Sequence, residues 1–251
     1  MSFERLNNLD GKVAVITGAG QVATATAVRL AQQGARIVQL VRKDVEAVQA
    51  QLDQLPNSEK LCHHAIYTDI TDTSSIKAAV AKVTQCDILV NTAGRSRSIN
   101  PVNVMALTDD IFDEIITTNI RGTFAVIREF ARLLQLSGDG LIVNITSTSG
   151  LRAGNSCVAY GASKAALDLM TKTLGKAFAP SIRVVAIAPG FMEGPTSGAV
   201  KQPGANDKIA ESSPLKRIGY ADDIACAVEA YATTIRFANA TTLVIDAGRT
   251  A

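Results

Sequence analysis

The stretch VAVITGAGQVATATAVRLAQQG, residues 13–34, decides the fold class of this chain. Its first residues, Val13–Ile16, form a short apolar run rich in β-branched residues, and the turn Thr17–Gly20 follows them. From Val22 to Gln33 apolar residues recur at helical spacing, and Gly34 is typical of the position just past a helix end. The stretch therefore predicts a strand, a glycine-containing turn and a helix.

The same alternation of strand and helix continues along the chain. Further strands are predicted at Arg36–Val41, Leu61–Tyr67, Asp87–Asn91, Leu141–Ile145, Ile182–Ala188 and Thr242–Asp246. Further helices are predicted at about 44–55, at Ser74–Val83, at about 109–136, at Val158–Phe178 and at Ala221–Ala232. This order indicates an α/β fold, a doubly wound, Rossmann-like sheet of seven parallel strands with helices on both faces. We expect a single domain over residues 1–251, with a Gly-, Pro- and Ser-rich substrate lid at about 191–213.

Composition excludes several classes of function. The formal net charge of +2 is too small to indicate a nucleic-acid partner or an anionic membrane surface. No apolar run approaches the roughly 20 residues of a membrane span, and residues 1–11 lack a signal-peptide layout, so we expect a cytoplasmic protein. The cysteines are scattered, without the spacing of metal ligands, and we expect reduced core residues and no metal site. They are Cys62, Cys86, Cys157 and Cys226.

Tyr160 and Lys164 stand at positions i and i+4 of a predicted helix and therefore share one face. An ammonium held beside a phenol favours the phenolate, so we expect Lys164 to lower the pKa of Tyr160 and make it an acid–base group. Ser147, at the end of the preceding strand, is suited to hydrogen-bond the same substrate oxygen. Tyr-x-x-x-Lys also occurs by chance on surface helices, and Ser147 is alternatively a structural cap. The surrounding motifs are needed to distinguish a catalytic from a structural role for these residues.

Those motifs occur in a fixed order along the chain. They are Thr17-Gly18-Ala19-Gly20, Asp69, Asn91-Thr92-Ala93-Gly94, Thr118-Asn119-Ile120-Arg121-Gly122-Thr123, Ile142-Val143-Asn144-Ile145-Thr146-Ser147, Tyr160–Lys164, Pro189-Gly190 and Asp246-Ala247-Gly248. With them the chain resembles the short-chain dehydrogenases/reductases of the compact, single-domain type over nearly its whole length. The resemblance implies four catalytic residues, which are Asn119, Ser147, Tyr160 and Lys164. In the family, the asparagine opens its helix locally and holds a water that relays protons to the lysine.

The resemblance also implies a nicotinamide dinucleotide, although the glycine loop departs from the usual Thr-Gly-x-x-x-Gly-x-Gly. One loop residue is missing, and Gln21 and Val22 stand where the later glycines would fall, yet we expect a dinucleotide to bind. The implied cofactor residues are Gly18, Gly20, Gln21, Val22, Arg42, Asp69, Ile70, Asn91, Ala93, Gly94, Tyr160, Lys164, Pro189, Gly190, Met192 and Thr196. Gly194 occupies the place of a threonine that the family often has, and Thr196 is the expected substitute.

The choice of cofactor depends on the end of the second strand. Val41 stands where NAD-preferring relatives have an acidic residue, and Arg42 follows it. A guanidinium suits the 2′-phosphate, so we favour NADP(H), with NAD(H) as the alternative. Arg42 could instead be a solvated residue or stack on the adenine.

The substrate is expected to be a small carbonyl compound or alcohol, which the sequence does not identify further. The expected substrate residues are Arg95, Ser147, Arg152, Cys157, Tyr160 and Phe191. Three arginines, Arg95, Arg97 and Arg152, are expected near the mouth of the substrate pocket. They would bind an anionic substrate, or alternatively they would be solvated. Family analogy and apolar helices predict a homotetramer or homodimer. Two functions remain: an NAD(P)(H)-dependent oxidoreductase with reversible carbonyl reduction and alcohol oxidation, or a cofactor-binding regulatory or scaffold protein with a degenerate glycine loop.

Overall fold

A seven-stranded parallel sheet forms the centre of the molecule, in the order β3-β2-β1-β4-β5-β6-β7. The computed structural model describes residues 9–153, 156–194 and 205–250. The strands are β1 Val13–Thr17, β2 Arg36–Val41, β3 His64–Tyr67, β4 Ile88–Asn91, β5 Gly140–Ile145, β6 Ile182–Pro189 and β7 Thr241–Ile245. The predicted doubly wound, seven-stranded parallel sheet is therefore confirmed.

Helices cover both faces of this sheet. They are α1 Gln21–Gln32, α2 Val45–Leu52, α3 Ser58–Leu61, α4 Thr73–Val80, α5 Asp109–Ile116, α6 Thr123–Leu136, α7 Val158–Phe178, α8 Ala205–Ser212 and α9 Ala221–Thr233. A π-helical segment, Thr117–Gly122, joins α5 to α6, and short 3-10 turns lie at Val104–Ala106 and Thr148–Gly150.

Strand alternation divides the core into two apolar clusters, one on each face. Ala14 and Ile16 of β1 pack with α1, α2 and α9, whereas Val13 and Val15 pack with α4 and α6. Burial on both faces explains why the strands read as nearly continuous apolar runs rather than alternating ones.

The strand order reverses at β1, which lies between β2 and β4. Connections leave such a point in opposite directions, and a crevice opens beyond the carboxyl ends of the two strands. Two bonds tie its walls together: the Ala93 N–H donates to Thr17 Oγ1 at 3.2 Å, and the Gln39 amide donates to the Gly18 carbonyl at 2.8 Å.

Asn91 and Asn144 join neighbouring strands through a buried chain of side-chain hydrogen bonds. Asn91 Nδ2 donates to Asn144 Oδ1 at 2.8 Å, and Asn144 Nδ2 donates to Thr171 Oγ1 at 2.9 Å. The Asn91 side chain, which the sequence analysis places among the cofactor residues, is thus buried inside the sheet and ties β4 to β5.

Two predicted elements differ in the structure. The third strand begins at His64 rather than Leu61, because residues 58–61 form α3, which ends at Cys62 in a left-handed conformation. The expected lid contains a helix, α8, which the sequence analysis did not predict, and residues 195–204 lie outside the described chain.

Cysteine burial divides the four thiols into two pairs. Cys86 and Cys157 are buried, as expected, but Cys62 and Cys226 are exposed, so the expectation of a core location was wrong for these two. Within residues 9–153, 156–194 and 205–250, no helix has the length and apolarity needed to cross a membrane.

His63 is a buried histidine that stabilises the junction of β2 and β3. Its Nδ1 accepts a hydrogen bond from the Ile37 N–H at 2.9 Å. Burial lowers the pKa of His63 below its ordinary value, and the nearby Arg36 acts in the same direction. The hydrogen bond to the Pro56 carbonyl raises the pKa, but by less than burial lowers it. The neutral imidazole is the form that the fold requires, because a protonated Nδ1 cannot accept from Ile37.

We expect acidification to destabilise the fold through His63. Since its pKa is lower in the folded state than the ordinary 6.5, the unfolded chain binds the proton first, and stability is lost as the pH falls below about 6.5. His63→Asn offers an acceptor that does not titrate, so its free energy of unfolding should fall less between about pH 7.5 and 5.5. Urea denaturation at several pH values measures this, and equal losses in both proteins would contradict the role of His63.

Candidate active site

Tyr160 and Lys164 lie in the first turns of α7 and share a face of that helix. The Lys164 Nζ is 5.6 Å from the centroid of the Tyr160 ring. It donates a hydrogen bond at 2.8 Å to the carbonyl of Ile145, the last residue of β5. This bond holds the buried ammonium at the carboxyl edge of the sheet, next to the crevice between β1 and β4.

Ser147 follows the end of β5, and its side chain lies next to the Tyr160 phenol. Its Oγ accepts the Ser149 N–H at 3.1 Å, which caps the 3-10 turn, and its hydroxyl also hydrogen-bonds the Tyr160 phenol. Ser147 is therefore both the structural cap and a neighbour of the phenol, so the two expectations for it are compatible.

Two glycines fix the separation between the Ser147 turn and α7. A Cβ on Gly150 would lie 2.6 Å from the Lys164 carbonyl carbon, and one on Gly161 would lie 3.0 Å from the Ser149 oxygen. Side chains at these positions would push the turn away from the helix, because real Cβ atoms do not approach so closely. Close backbone contact thus determines the geometry of Ser147, Tyr160 and Lys164.

The pKa of Tyr160 differs from the expectation. Burial raises it above its ordinary value, the Cys157 thiol adds to the rise, and the hydrogen bond from Ser147 offsets only part of it. The expected lowering by Lys164 is therefore wrong for this structure, in which the lysine Nζ donates to Ile145 rather than to the phenol. Burial also lowers the pKa of Lys164, to about 8.

Asn119 lies in the π-helical segment between α5 and α6, so the predicted local opening of this helix is confirmed. Its Oδ1 accepts the Arg95 N–H at 2.7 Å, and its Nδ2 donates to the Arg95 carbonyl and to Ser163 Oγ, each at 2.9 Å. A Cβ on Gly94 would lie 3.4 Å from Asn119 Oδ1 and 3.5 Å from Lys164 Nζ. Asn119 therefore connects the loop after β4 to the catalytic face of α7.

The glycine loop retains the features that a pyrophosphate needs. Gly18 has φ +92° and packs against Thr92 and Ala93, whereas a Cβ on Gly20 would meet nothing within 4 Å. Gly20 is the N-cap of α1 and supplies no side-chain cap to the first N–H groups of the helix, and the space beside its Cα is open. A helix N-terminus of this kind fits the diphosphate of a dinucleotide.

The Gln21 side chain also reaches the segment that follows β6. A Cβ on Gly194 would lie 2.2 Å from Gln21 Oε1, and Gly194 has φ +134°. A threonine at position 194 would be strained by this positive φ, and the Gln21 amide would have to move aside for its side chain. Thr196, the expected substitute, lies outside the described residues.

Arg42 and Asp69 face each other at the ends of β2 and β3, with 3.8 Å between Arg42 NH1 and Asp69 Oδ2. Burial alone would raise the pKa of Asp69, but hydrogen bonds from Thr71 together with Arg42 hold it below its ordinary value. Val41 is buried, and Ile70 packs against Gly122. Charged groups at this edge thus include Arg42, which is 42% exposed, and Asp69, with Lys43 and Asp44 following Arg42 in the chain.

Pro189 and Gly190 lie at the end of β6, as expected. The Gly190 N–H donates to the Ile245 carbonyl at 2.8 Å, and a Cβ there would lie 2.6 Å from the Cβ of Asp246. Met192 forms a short parallel bridge with Gly219 and packs against the core, so its side chain serves the fold rather than an open site.

A cavity of about 300 Å³ lies beside Ser147. It is lined by Thr148, Arg152, Gly190, Phe191, Asp246, Arg249 and Thr250. Arg152 and Phe191 were expected in the substrate site, whereas Thr148, Asp246, Arg249 and Thr250 were missed. The motif Asp246-Ala247-Gly248 was the available signal, because Asp246 accepts from the Thr250 N–H and folds the tail over the cavity.

The two other expected substrate residues lie elsewhere. Arg95 donates to Glu114 of α5 at 2.5 Å, and Arg97 donates to the same carboxylate at 2.6 Å. Cys157 is buried with Ile115 and Ala159 behind the Tyr160 ring. Neither side chain lines the described cavity: Arg95 is paired with Glu114, and Cys157 packs against Tyr160.

Comparison with known proteins agrees with this geometry. Residues 12–204 match the family model described as short chain dehydrogenase. The chain is 32% identical to the 3-oxoacyl-[acyl-carrier-protein] reductase of Thermotoga maritima, with 86% of this chain and 88% of that protein covered. It is 32% identical to D-threitol dehydrogenase of Mycolicibacterium smegmatis, with 96% and 94% covered. The crystal structure of gox2181 superposes with a TM-score of 0.89 at 30% identity, covering 100% of this chain and 99% of that one. The chain belongs to the short-chain dehydrogenase family of NAD(P)(H)-dependent oxidoreductases that act on alcohol and carbonyl groups.

Proposed function

We propose that this protein is an NADP(H)-dependent carbonyl reductase that also oxidises the corresponding alcohol. The observation that carries the proposal is the constellation of Ser147, Tyr160 and Lys164, held by close glycine contacts and connected to Asn119. A protein that only bound a cofactor would have no need to hold a lysine ammonium in a buried site beside a phenol.

Nicotinamide, when bound, supplies or accepts the hydride, and the protein manages the proton. A tyrosine phenol carries its proton at neutral pH, and Tyr160 would donate this proton to the carbonyl oxygen of the substrate. The Ser147 hydroxyl would hold the same oxygen, and the Lys164 ammonium would bind the hydroxyls of the nicotinamide ribose. Gly18, Gly20 and the first N–H groups of α1 would hold the diphosphate, while Gly94, Gly190 and Lys164 surround the reactive end.

Two features support NADP(H) over NAD(H). Val41 is buried and carries no acceptor for ribose hydroxyls, and Arg42 presents an accessible guanidinium at the neighbouring position. The contact between Arg42 and Asp69 is long, at 3.8 Å, and therefore weak. A 2′-phosphate would displace Asp69 and form closer hydrogen bonds with the Arg42 guanidinium.

We also propose a homo-oligomer, a tetramer or a dimer. Large apolar side chains are exposed on two long helices, at Phe124 and Leu136 of α6 and at Leu169 of α7. β7 is an edge strand with Leu243 and Val244 more than a third exposed. A second subunit would cover such surfaces.

Tyr160→Phe removes the proton donor and should lower kcat for carbonyl reduction by roughly 10²–10⁴-fold while NADPH binding persists. The matched control is Tyr67→Phe, since Tyr67 is 60% exposed on β3 and far along the sheet from the site. Stopped-flow oxidation of NADPH and fluorescence titration measure the two quantities. Full turnover by Tyr160→Phe would disprove its role as the acid.

Lys164→Met should stabilise the fold and abolish turnover. The pKa of Lys164 falls from 10.5 to about 8, so below pH 8 the folded state bears the whole penalty of a buried ammonium. The penalty disappears as the pH rises from about 8 to 10.5, and its size is on the order of 3 kcal/mol. The free energy of unfolding at pH 7 should therefore be higher in Lys164→Met than in the wild type, by an amount that shrinks towards pH 10.

Lys172→Met is the matched control for this comparison. Lys172 lies two turns later on α7, is half-exposed and pairs with Asp168 at 2.6 Å. Its loss should leave stability unchanged or reduce it by up to about 1 kcal/mol. A destabilised Lys164→Met would mean that the ammonium contributes to the fold rather than opposing it.

Arg42→Ala should weaken NADPH binding by about ten-fold and leave NADH binding nearly unchanged. Nicotinamide fluorescence titration gives both dissociation constants, and Lys43→Ala, at the exposed neighbouring position, is the control. A wild-type preference for NADH would reverse the proposed cofactor. Binding of neither dinucleotide would favour the regulatory or scaffold function instead.

A further inference from the structure

The cavity beside Ser147 contains two arginines from distant parts of the chain. Arg152 follows the 3-10 turn that begins after Ser147, and Arg249 follows β7 near the end of the chain. Thr148, the residue next to Ser147, lines the same cavity. A ligand in this space would therefore lie beside the turn that begins after Ser147 and would face both arginines.

Neither arginine is paired with an acid within the described ranges, which distinguishes them from the other arginines near the mouth. Arg95 and Arg97 share Glu114, at 2.5 and 2.6 Å. Arg152 NH1 donates at 3.0 Å to the Arg249 carbonyl, a neutral acceptor. Arg249 NH1 likewise uses neutral acceptors, the Ser212 hydroxyl at 2.5 Å and the Ile209 carbonyl at 3.5 Å.

Arg249 is held in place rather than left free in solvent. Its guanidinium carbon lies 4.8 Å from the centroid of the Phe191 ring, so the planar group is supported by an aromatic side chain. A guanidinium has five N–H donors, and the described contacts use only NH1 on each arginine. The remaining donors are available to a ligand in the cavity.

Asp246 is the one carboxylate among the residues lining this cavity, and its oxygens are already engaged. Oδ1 accepts the Gly248 N–H at 2.9 Å, and Oδ2 accepts the Thr250 N–H at 2.8 Å and the Thr250 hydroxyl at 2.7 Å. These bonds fold the tail and bring Arg249 over the cavity. Two guanidiniums and one carboxylate leave a single positive charge, which matches a monoanion.

We propose that the substrate carries a carboxylate, bound by Arg152 and Arg249, at the end remote from its reacting carbonyl. The proposal rests on the function proposed above and narrows it to oxo acids and the corresponding hydroxy acids. A carboxylate matches the planar fork of a guanidinium and balances the single excess charge of the cavity. A cavity of about 300 Å³ suits a small acid of this kind.

The test compares oxo acids with their methyl esters, which have the same carbonyl and no charge. Acetoacetate, 4-oxopentanoate and 5-oxohexanoate are each assayed with NADPH against the matching ester. For at least one chain length, kcat/KM should favour the acid by about ten-fold or more. Arg152→Gln and Arg249→Gln should each remove about ten-fold from the acid, mainly through KM, and change the ester by less than about two-fold.

Arg97→Gln is the matched control, because it removes a positive charge that pairs with Glu114 at 2.6 Å and lies outside the lining of the cavity. It should leave the ratio of acid to ester unchanged. The proposal is overturned if esters equal or exceed acids at every chain length. It is also overturned if Arg249→Gln lowers acid and ester equally, since Arg249 would then serve only to anchor the tail to α8.

Binding measured without turnover separates this proposal from the proposed function. Calorimetric titration of the same acids and esters is performed on the protein alone and with NADP⁺. If no compound is reduced but an acid binds and both glutamine variants weaken it, the carboxylate site stands and the reductase function fails. If acid and ester bind equally, or the variants do not alter acid binding, the carboxylate site fails.

Discussion

The buried ammonium of Lys164 is the constraint on which the rest of the site depends. It is drawn to the Ile145 carbonyl at the end of β5, and α7 must therefore lie against that edge of the sheet. A side chain at position 150 would collide with the backbone of Lys164, so this position is a glycine. Burial of this charge lowers the free energy of unfolding, and the two large apolar clusters on the sheet faces offset that cost.

Much of the fold followed from the sequence, because buried parallel strands and amphipathic helices have different apolar periods. Leu61–His63 were assigned to a strand because they are apolar or β-compatible, yet Asn57 and Cys62 adopt left-handed conformations that delimit a short helix. α8 was missed because its residues, ANDKIAES, show little apolar periodicity. Such short elements are determined by local backbone conformation and tertiary contacts rather than by pattern.

The candidate site was predictable where motifs fix spacing and unpredictable where distant segments meet. The positions of Ser147, Tyr160, Lys164 and Asn119 followed from their order and from the resemblance. The partners of the arginines did not, because Glu114 and the tail reach the mouth only after folding. The pKa of Tyr160 was also misjudged, since the direction in which Lys164 points depends on the Ile145 carbonyl.

The π-helical segment Thr117–Gly122 has a consequence for how the chain tolerates changes in length. A π turn holds one residue more than an α turn, so deleting one residue there would let regular α-helix run from Asp109 to Leu136. The repair would leave α5 and α6 facing nearly as they do now, because an α turn and a π turn each complete one full rotation, but it would withdraw Asn119 from Arg95 and Ser163. The regular helix would therefore lose the contacts of Asn119, and the additional residue of the π turn is what brings this amide into the site.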